Sequence, residues 1–219
     1  MSEPTRLPLV VLISGSGSNL QALIDASQRD LPVDIRAVIS NRADAYGLER
    51  ARKAGIATQV LSHKGHPSRE SYDTALQRLI DRYQPRLVVL AGFMRILTPD
   101  LVRHYEGRMF NIHPSLLPAF RGLHTHQRIL DAGEKTHGAS VHFVTEELDS
   151  GPIIIQARVP VLEGDTAEVL AARVLEQEHR IYPQAVRWFA EGRLGLNGGR
   201  VLLDGRVLER PAILKPDRH

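Results

Sequence analysis

The chain has 219 residues, of which 42% are hydrophobic and 24% charged; it carries a formal charge of +3 and no cysteine. That composition fits a globular protein with a real core rather than a disordered chain, and it excludes disulfides, a thiolate nucleophile and Cys-ligated metal. No apolar run nears the roughly 18 residues that span a bilayer, Met1–Pro8 has no signal-peptide pattern, and 24 of the 28 basic residues are scattered arginines, so the expectation is a soluble, cytoplasmic protein with neither a membrane nor a nucleic-acid partner.

Leu7–Ile13 (LPLVVLI) reads as a buried strand. Ser14-Gly15-Ser16-Gly17-Ser18 follows as a turn, and a helical pattern runs from Asn19 to about Arg29. Val33–Ser40 is a strand, Tyr46–Ala54 a helix ending at Gly55, and Ile56–Leu61 a short strand. Ser68–Tyr83 has a cap and helical spacing, and Pro85 stops it. Leu87–Ala91 is a further buried strand, Thr98-Pro99 opens a helix, and Met109–His113 is a strand. This alternation predicts an α/β fold: a mostly parallel, twisted sheet flanked by helices, with a Rossmann-like N-terminal half. Functional loops then sit at the carboxyl ends of the strands.

The second half differs. Ala139–Val144 and Ile153–Val161 are strands joined by the acidic loop Thr145–Pro152. Thr166–Glu191 is a long helical pattern with a break expected near Pro183, and Asp204-Gly205 signals a hairpin. Without a linker signature the expectation is a single domain over 1–219. It comprises a nucleotide-binding half 1–110, a catalytic half 111–193 and a hairpin tail 194–219.

Three features could carry chemistry. Ser14–Asn19 follows a strand and opens a helix, so its backbone N–H groups face a candidate anion site. It lacks the Walker ending and the third glycine of a dinucleotide fingerprint, and it also reads as a plain tight turn. Asn111 and His113 stand two apart on a strand and share a face. An amide donor and an imidazole suit a developing oxyanion and proton transfer, although a structural hydrogen-bonded pair has the same spacing. Asp149 lies in a loop between two strands and could pair with His113, favouring the imidazolium; it could equally be a solvated loop acid. His124-Thr125-His126 lacks a third metal ligand at a useful spacing, so no metal is expected. His137, His142 and His179 read as structural histidines, and Phe93-Met94 and Trp188 as core.

Several segments converge on one family. VLISGSGSNLQALIDA (Val11–Ala26), SNRADAYGLERARKAGI (Ser40–Ile56), VLAGFMRILTP (Val89–Pro99), NIHPSLLPAFRGLHTH (Asn111–His126), GASVHFVTEELDSGPII (Gly138–Ile154) and QEHRIYP (Gln177–Pro183) occur in order over about four-fifths of the chain. The sequence resembles the phosphoribosylglycinamide formyltransferase family, folate-dependent enzymes of purine synthesis. The resemblance implies a catalytic trio of Asn111, His113 and Asp149. It assigns Gly17, Ser18, Asn19 and Glu178 to the ribonucleotide. It assigns Arg69, Met94, Arg95, Ile96, Leu97 and the loop of Thr145, Glu146, Glu147, Leu148 and Asp149, together with Asn111, to the folate. The implied formyl donor is 10-formyltetrahydrofolate, with no metal and with small-molecule partners only, in a monomer or homodimer. A cis bond before Pro118 is implied as well. Leu175 departs from the pattern where a polar residue is expected, and the tail from Leu194 matches least.

Related enzymes share the trio. A methionyl-tRNA formyltransferase adds an RNA-binding domain, and a formyltetrahydrofolate hydrolase adds a regulatory one; neither is expected here. A nicotinamide oxidoreductase would need an acid about 20 residues after the glycines, and Asp34 and Asp44 leave that reading open. A non-catalytic sensor of phosphoribosyl compounds would not need the trio.

Overall fold

A computed structural model describes residues 5–214. It divides into two compact units, Met1–Asn111 and Ile112–His219. Residues 215–219, the end of the expected tail, lie outside the described residues.

In the first unit the apolar runs become strands β1 (Leu7–Ile13), β2 (Val33–Ser40), β3 (Ala57–Val60), β4 (Leu87–Leu90) and β5 (Met109–His113), the last of which runs into the second unit. Between them run helices α1 (Ser18–Arg29), α2 (Tyr46–Lys53), α3 (Arg69–Asp81) and α4 (Pro99–His104). The strands pair in parallel in the order β3-β2-β1-β4-β5. Every residue of β4 and all but Pro8 of β1 are buried, as expected for strands covered on both faces. Right-handed crossovers put α1 and α2 on one face and α3 and α4 on the other. The strand order reverses between β1 and β4, where α/β sheets open a crevice at the strands' carboxyl ends.

The expected caps form. Ser68 Oγ accepts from the Ser71 N–H at 3.0 Å, and Thr98 Oγ1 accepts from Leu101 at 3.5 Å, with Pro99 opening α4. Buried Asp73 accepts from the Thr98 N–H at 2.6 Å, tying α3 to the start of α4.

In the second unit α5 (Thr125–Asp131) precedes strands β6 (Thr136–Phe143) and β7 (Ile153–Pro160), and α6 (Ala167–Ala190) follows. β6 and β7 pair antiparallel, and a short β11 (Ala212–Ile213) adds to β7 in parallel. The fold is therefore the mostly parallel, helix-flanked α/β class expected. The expected break at Pro183 does not occur: α6 runs through it. A proline inside a helix costs about 3 kcal/mol, and burying Leu170, Val174, Ile181, Tyr182, Ala185 and Val186 along one face outweighs it. The hairpin at Asp204-Gly205 joins β9 (Arg200–Leu203) to β10 (Arg206–Val207), with φ of 53° and 75° as a primed turn requires. A preceding strand β8 (Leu194–Asn197) pairs with β9. Sequence reading missed α5, β8 and β11, all too short for periodicity to register.

Gly138 shows how tightly β6 meets β7: a Cβ there would stand 2.0 Å from the Ala157 carbonyl oxygen and 2.8 Å from Leu116 Cδ2. Gly138→Ala is expected to lose about 1–3 kcal/mol or more of stability, read as a lower urea midpoint at unchanged m-value.

Candidate active site

The Gly-rich loop leaves β1 at Ile13 and enters α1 through Gly17, whose φ of 73° is left-handed. The N-cap residue Gly17 has no side chain to cap α1, and the helix dipole favours an anion at this end. The loop is clamped by α2. A Cβ on Gly17 would lie 2.6 Å from Gly47 Cα, and one on Gly47 would lie 2.5 Å from Ile13 Cδ1. The Gly47 N–H donates to the Gly15 carbonyl at 3.0 Å. Arg50 Nε donates to the Ser16 carbonyl at 2.8 Å, while its guanidinium covers Tyr46. Gly47 escaped the sequence reading. Its signal was a glycine inside a helix, where it is unfavourable unless backbones must approach.

One hydroxyl joins this loop to the end of β4. Buried Ser14 donates to Asn41 Oδ1 at 2.5 Å and accepts the Met94 N–H at 2.8 Å. The Phe93-Met94 pair is not uniformly core as expected: Phe93 is buried, but Met94 is 66% exposed and Ile96 56%. The chain turns here at Gly92, with φ of 77°, and Met94 is fixed by its backbone rather than by packing. Leu97 is buried. Arg95 lays its guanidinium 4.5 Å from the Tyr72 ring centroid, and its Nε is buried without a hydrogen-bond partner. Tyr72 lies one turn along α3 from the exposed Arg69.

β5 carries both Asn111 and His113. In the second unit His113 and Asp149 are buried together, with His113 Nδ1 3.5 Å from Asp149 Oδ2. The other ring nitrogen, Nε2, donates to the Phe120 carbonyl at 2.9 Å. Asp149 Oδ2 also accepts the Gly122 N–H at 3.0 Å. The structure thus brings His113 and Asp149 together. Of the loop's other acids, Glu146 and Glu147 are exposed. Glu147 pairs with Arg121 at 3.1 Å, and Thr145 Oγ1 donates to the Glu147 carbonyl at 3.4 Å. Leu148 is exposed. The loop closes at Gly151, where a Cβ would lie 1.7 Å from the Phe143 carbonyl oxygen.

The segment after His113 is held from below. The Leu117–Pro118 bond is cis, as expected. Ser140 Oγ accepts the Leu117 N–H and donates to the Ser115 carbonyl; Gln156 Nε2 donates to the Leu117 carbonyl and to Ser140 Oγ. Phe120, Gly122, Ser140 and Gln156 were invisible to the sequence reading, because two act through backbone atoms and two are isolated polar residues on apolar strands. Glu178 is buried on the otherwise apolar face of α6.

His126, His137 and His142 pack structurally. His142 Nδ1 donates to the Phe143 carbonyl at 2.8 Å; burial pushes the ring's pKa down, against that hydrogen bond. His126 Nδ1 and His137 Nε2 lie 3.0 Å apart. Burial first, then the neighbouring His126 and His113 rings, push His137 down to about 4, and its Nδ1 has no hydrogen-bond partner. Among the described residues no group of three or more His, Asp or Glu side chains is placed to hold a metal ion, and no helix is long and apolar enough to cross a membrane.

Comparison with known proteins gives a consistent result. The formyl transferase family model matches residues 7–186. The phosphoribosylglycinamide formyltransferase of Escherichia coli is 58% identical over 91% of this chain and 95% of its own length. The human trifunctional purine biosynthetic protein adenosine-3 is 45% identical over 90% of this chain, which spans 20% of that protein. Among solved structures, the phosphoribosylglycinamide formyltransferase of Coxiella burnetii superposes with a TM-score of 0.93 at 55% identity, covering 96% of this chain and all of that one. A formyltetrahydrofolate deformylase from Pseudomonas putida superposes at 0.83 with 28% identity, over 93% of this chain and 72% of that one.

His137 makes stability depend on pH. Its ordinary value is 6.5 and its folded value about 4, so the unfolded chain takes up a proton that the folded one refuses between those limits. Its contribution is whole above pH 6.5 and lost as pH falls towards 4. His137→Gln should flatten the decline of the urea midpoint across that window. Gly47→Ala, which drives a methyl into Ile13 and the loop, should weaken phosphate-ester binding at least tenfold by calorimetry.

Proposed function

The chain belongs to the formyl transferase family, and from that premise we propose that it moves the formyl group of 10-formyltetrahydrofolate to the amine of phosphoribosylglycinamide. The observation that carries this reading is the buried His113–Asp149 pair, 3.5 Å apart, with Asn111 two residues before His113 on β5.

The amine attacks the formyl carbon. The carbonyl oxygen becomes an oxyanion while the nitrogen becomes cationic. Asn111 donates its amide N–H to that oxygen. His113 receives it on the Nδ1 side, where Asp149 stands off at the limit of hydrogen-bonding distance; Nε2 is already committed to Phe120. Asp149 orients the ring and draws the surplus proton from the amine. As the intermediate collapses, the new C–N bond stays, the bond to the folate nitrogen breaks, and that nitrogen takes the proton through His113 or water. No redox partner is required.

The binding residues divide by substrate. The N–H groups of Gly17, Ser18 and Asn19 hold the ribonucleotide phosphate, and Glu178 holds the glycinamide end. Met94, Arg95, Ile96 and Leu97 line the pterin pocket, Arg69 contacts the folate, and Thr145–Asp149 closes over it. Ser14 supports this division, because it ties the phosphate loop to Met94. The substrates are cytoplasmic small molecules, and residues 1–110 and 111–193 serve as the nucleotide and catalytic halves of one domain.

Mixing the protein with glycinamide ribonucleotide and 10-formyltetrahydrofolate should release deformylated folate, followed by absorbance. Equal release without the ribonucleotide would mean hydrolysis and would defeat the reading. Asn111→Ala and His113→Ala should each lower kcat by about 10²–10³ with KM changed only a few-fold.

A further inference from the structure

The five residues Phe120–His124 supply one contact to each member of the His113–Asp149 pair: the Phe120 carbonyl accepts from His113 Nε2, and the Gly122 N–H donates to Asp149 Oδ2. This turn is costly. Phe120, Gly122 and His124 all have left-handed backbone, with φ of 53°, 82° and 57°, and two of the three are not glycine. Such conformations persist only where surrounding contacts over-determine them.

One side chain supplies three of those contacts. Arg128, on α5, donates Nη1 to the Arg121 carbonyl at 2.6 Å and to the Leu123 carbonyl at 3.2 Å. Its guanidinium also lies 5.4 Å from the Phe120 ring centroid. It therefore touches the turn at residues 120, 121 and 123, bracketing the Gly122 N–H and gripping the residue whose carbonyl holds His113. The helix that carries it is itself fixed: Thr125 Oγ1 donates to the carbonyl of Pro114, the residue after His113, and Ile129 is buried. The Arg121–Glu147 pair adds an exposed second tie, worth little on its own.

We propose that Arg128 is a positioning residue for the reaction: it staples the Phe120–His124 turn, and through it sets the orientation of His113 and the placement of Asp149. This rests on the reading of His113 and Asp149 given above. Arg128 is exposed and reaches the backbone of the turn and the Phe120 ring rather than the side chains of the pair. Its effect is geometric. Both hydrogen bonds leave from Nη1 while the planar guanidinium lies over the Phe120 ring; a lysine ammonium has donors enough for two carbonyls but is compact, strongly hydrated and without a planar face, so it does not hold both carbonyls and the ring together.

The test compares Arg128→Lys and Arg128→Gln. Both should lower kcat about 10- to 100-fold, the size of effect that sub-ångström to 1 Å misplacement produces, with KM for the ribonucleotide within twofold. In the free protein both should shift the ¹⁵N resonance of His113 Nε2, because its acceptor moves. Phe120→Leu, which removes the ring beneath the guanidinium, should shift that resonance in the same direction by less. The proposal is overturned if Arg128→Gln keeps kcat within twofold, or if Arg128→Lys matches the parent while Arg128→Gln falls, which would make charge the cause. It is equally overturned if the His113 resonance stays in place. The resonance needs no substrate, so failure of the proposed reaction is distinguishable from failure of the staple.

Discussion

His113 has two ring nitrogens, and each faces an oxygen acceptor: the Phe120 carbonyl on one side and the Asp149 carboxylate on the other. A ring with one N–H satisfies one of them, and a ring with two satisfies both. The two acceptors are not equivalent. The carbonyl sits at ordinary hydrogen-bond distance, whereas the carboxylate stands off at 3.5 Å. The tighter contact fixes the plane of the ring; the looser one leaves the Nδ1 side less firmly held. Since both ring and carboxylate are buried, an interaction with developing charge there is worth more than it would be in water.

The cost of that arrangement is borne by backbone. Phe120, His124 and Asp149 all adopt left-handed conformations that L residues rarely choose. Gly138 and Gly151 pass so close to neighbouring carbonyls that no side chain fits. Ser140 and Gln156 meet the polar atoms around the cis Leu117–Pro118 bond, so its buried groups keep their hydrogen bonds. His113 and Asp149 thus sit on a strand end and a loop whose freedom has been removed by turns, glycines and two buried polar side chains.

How much of this was legible depended on length scale. β1, β2 and β5 were readable to the residue because apolar runs bounded by turns leave little ambiguity. The Asp204-Gly205 hairpin was readable because a primed turn demands those residues. The break at Pro183 was misjudged because a local rule about proline lost to tertiary burial along α6. Asn111 and His113 could be paired from strand alternation, and Asp149 gained its meaning from the family resemblance. Phe120 and Gly122 could not be found that way: a carbonyl and an N–H leave no mark in the identity of their side chains. Arg128 was hidden for a related reason, as one of many scattered arginines that differs only in what it reaches.

The first unit obeys a different logic. Its strand order reverses between β1 and β4, where such sheets open a crevice, and the left-handed turns after these two strands, at Gly17 and Gly92, are made by glycine. The loop after β1 and the segment after β4 flank that crevice, and both are anchored to the same atom, Ser14 Oγ, directly or through the adjoining chain. If the first holds a phosphate and the second a folate ring, displacement of either is felt by the other through one hydroxyl.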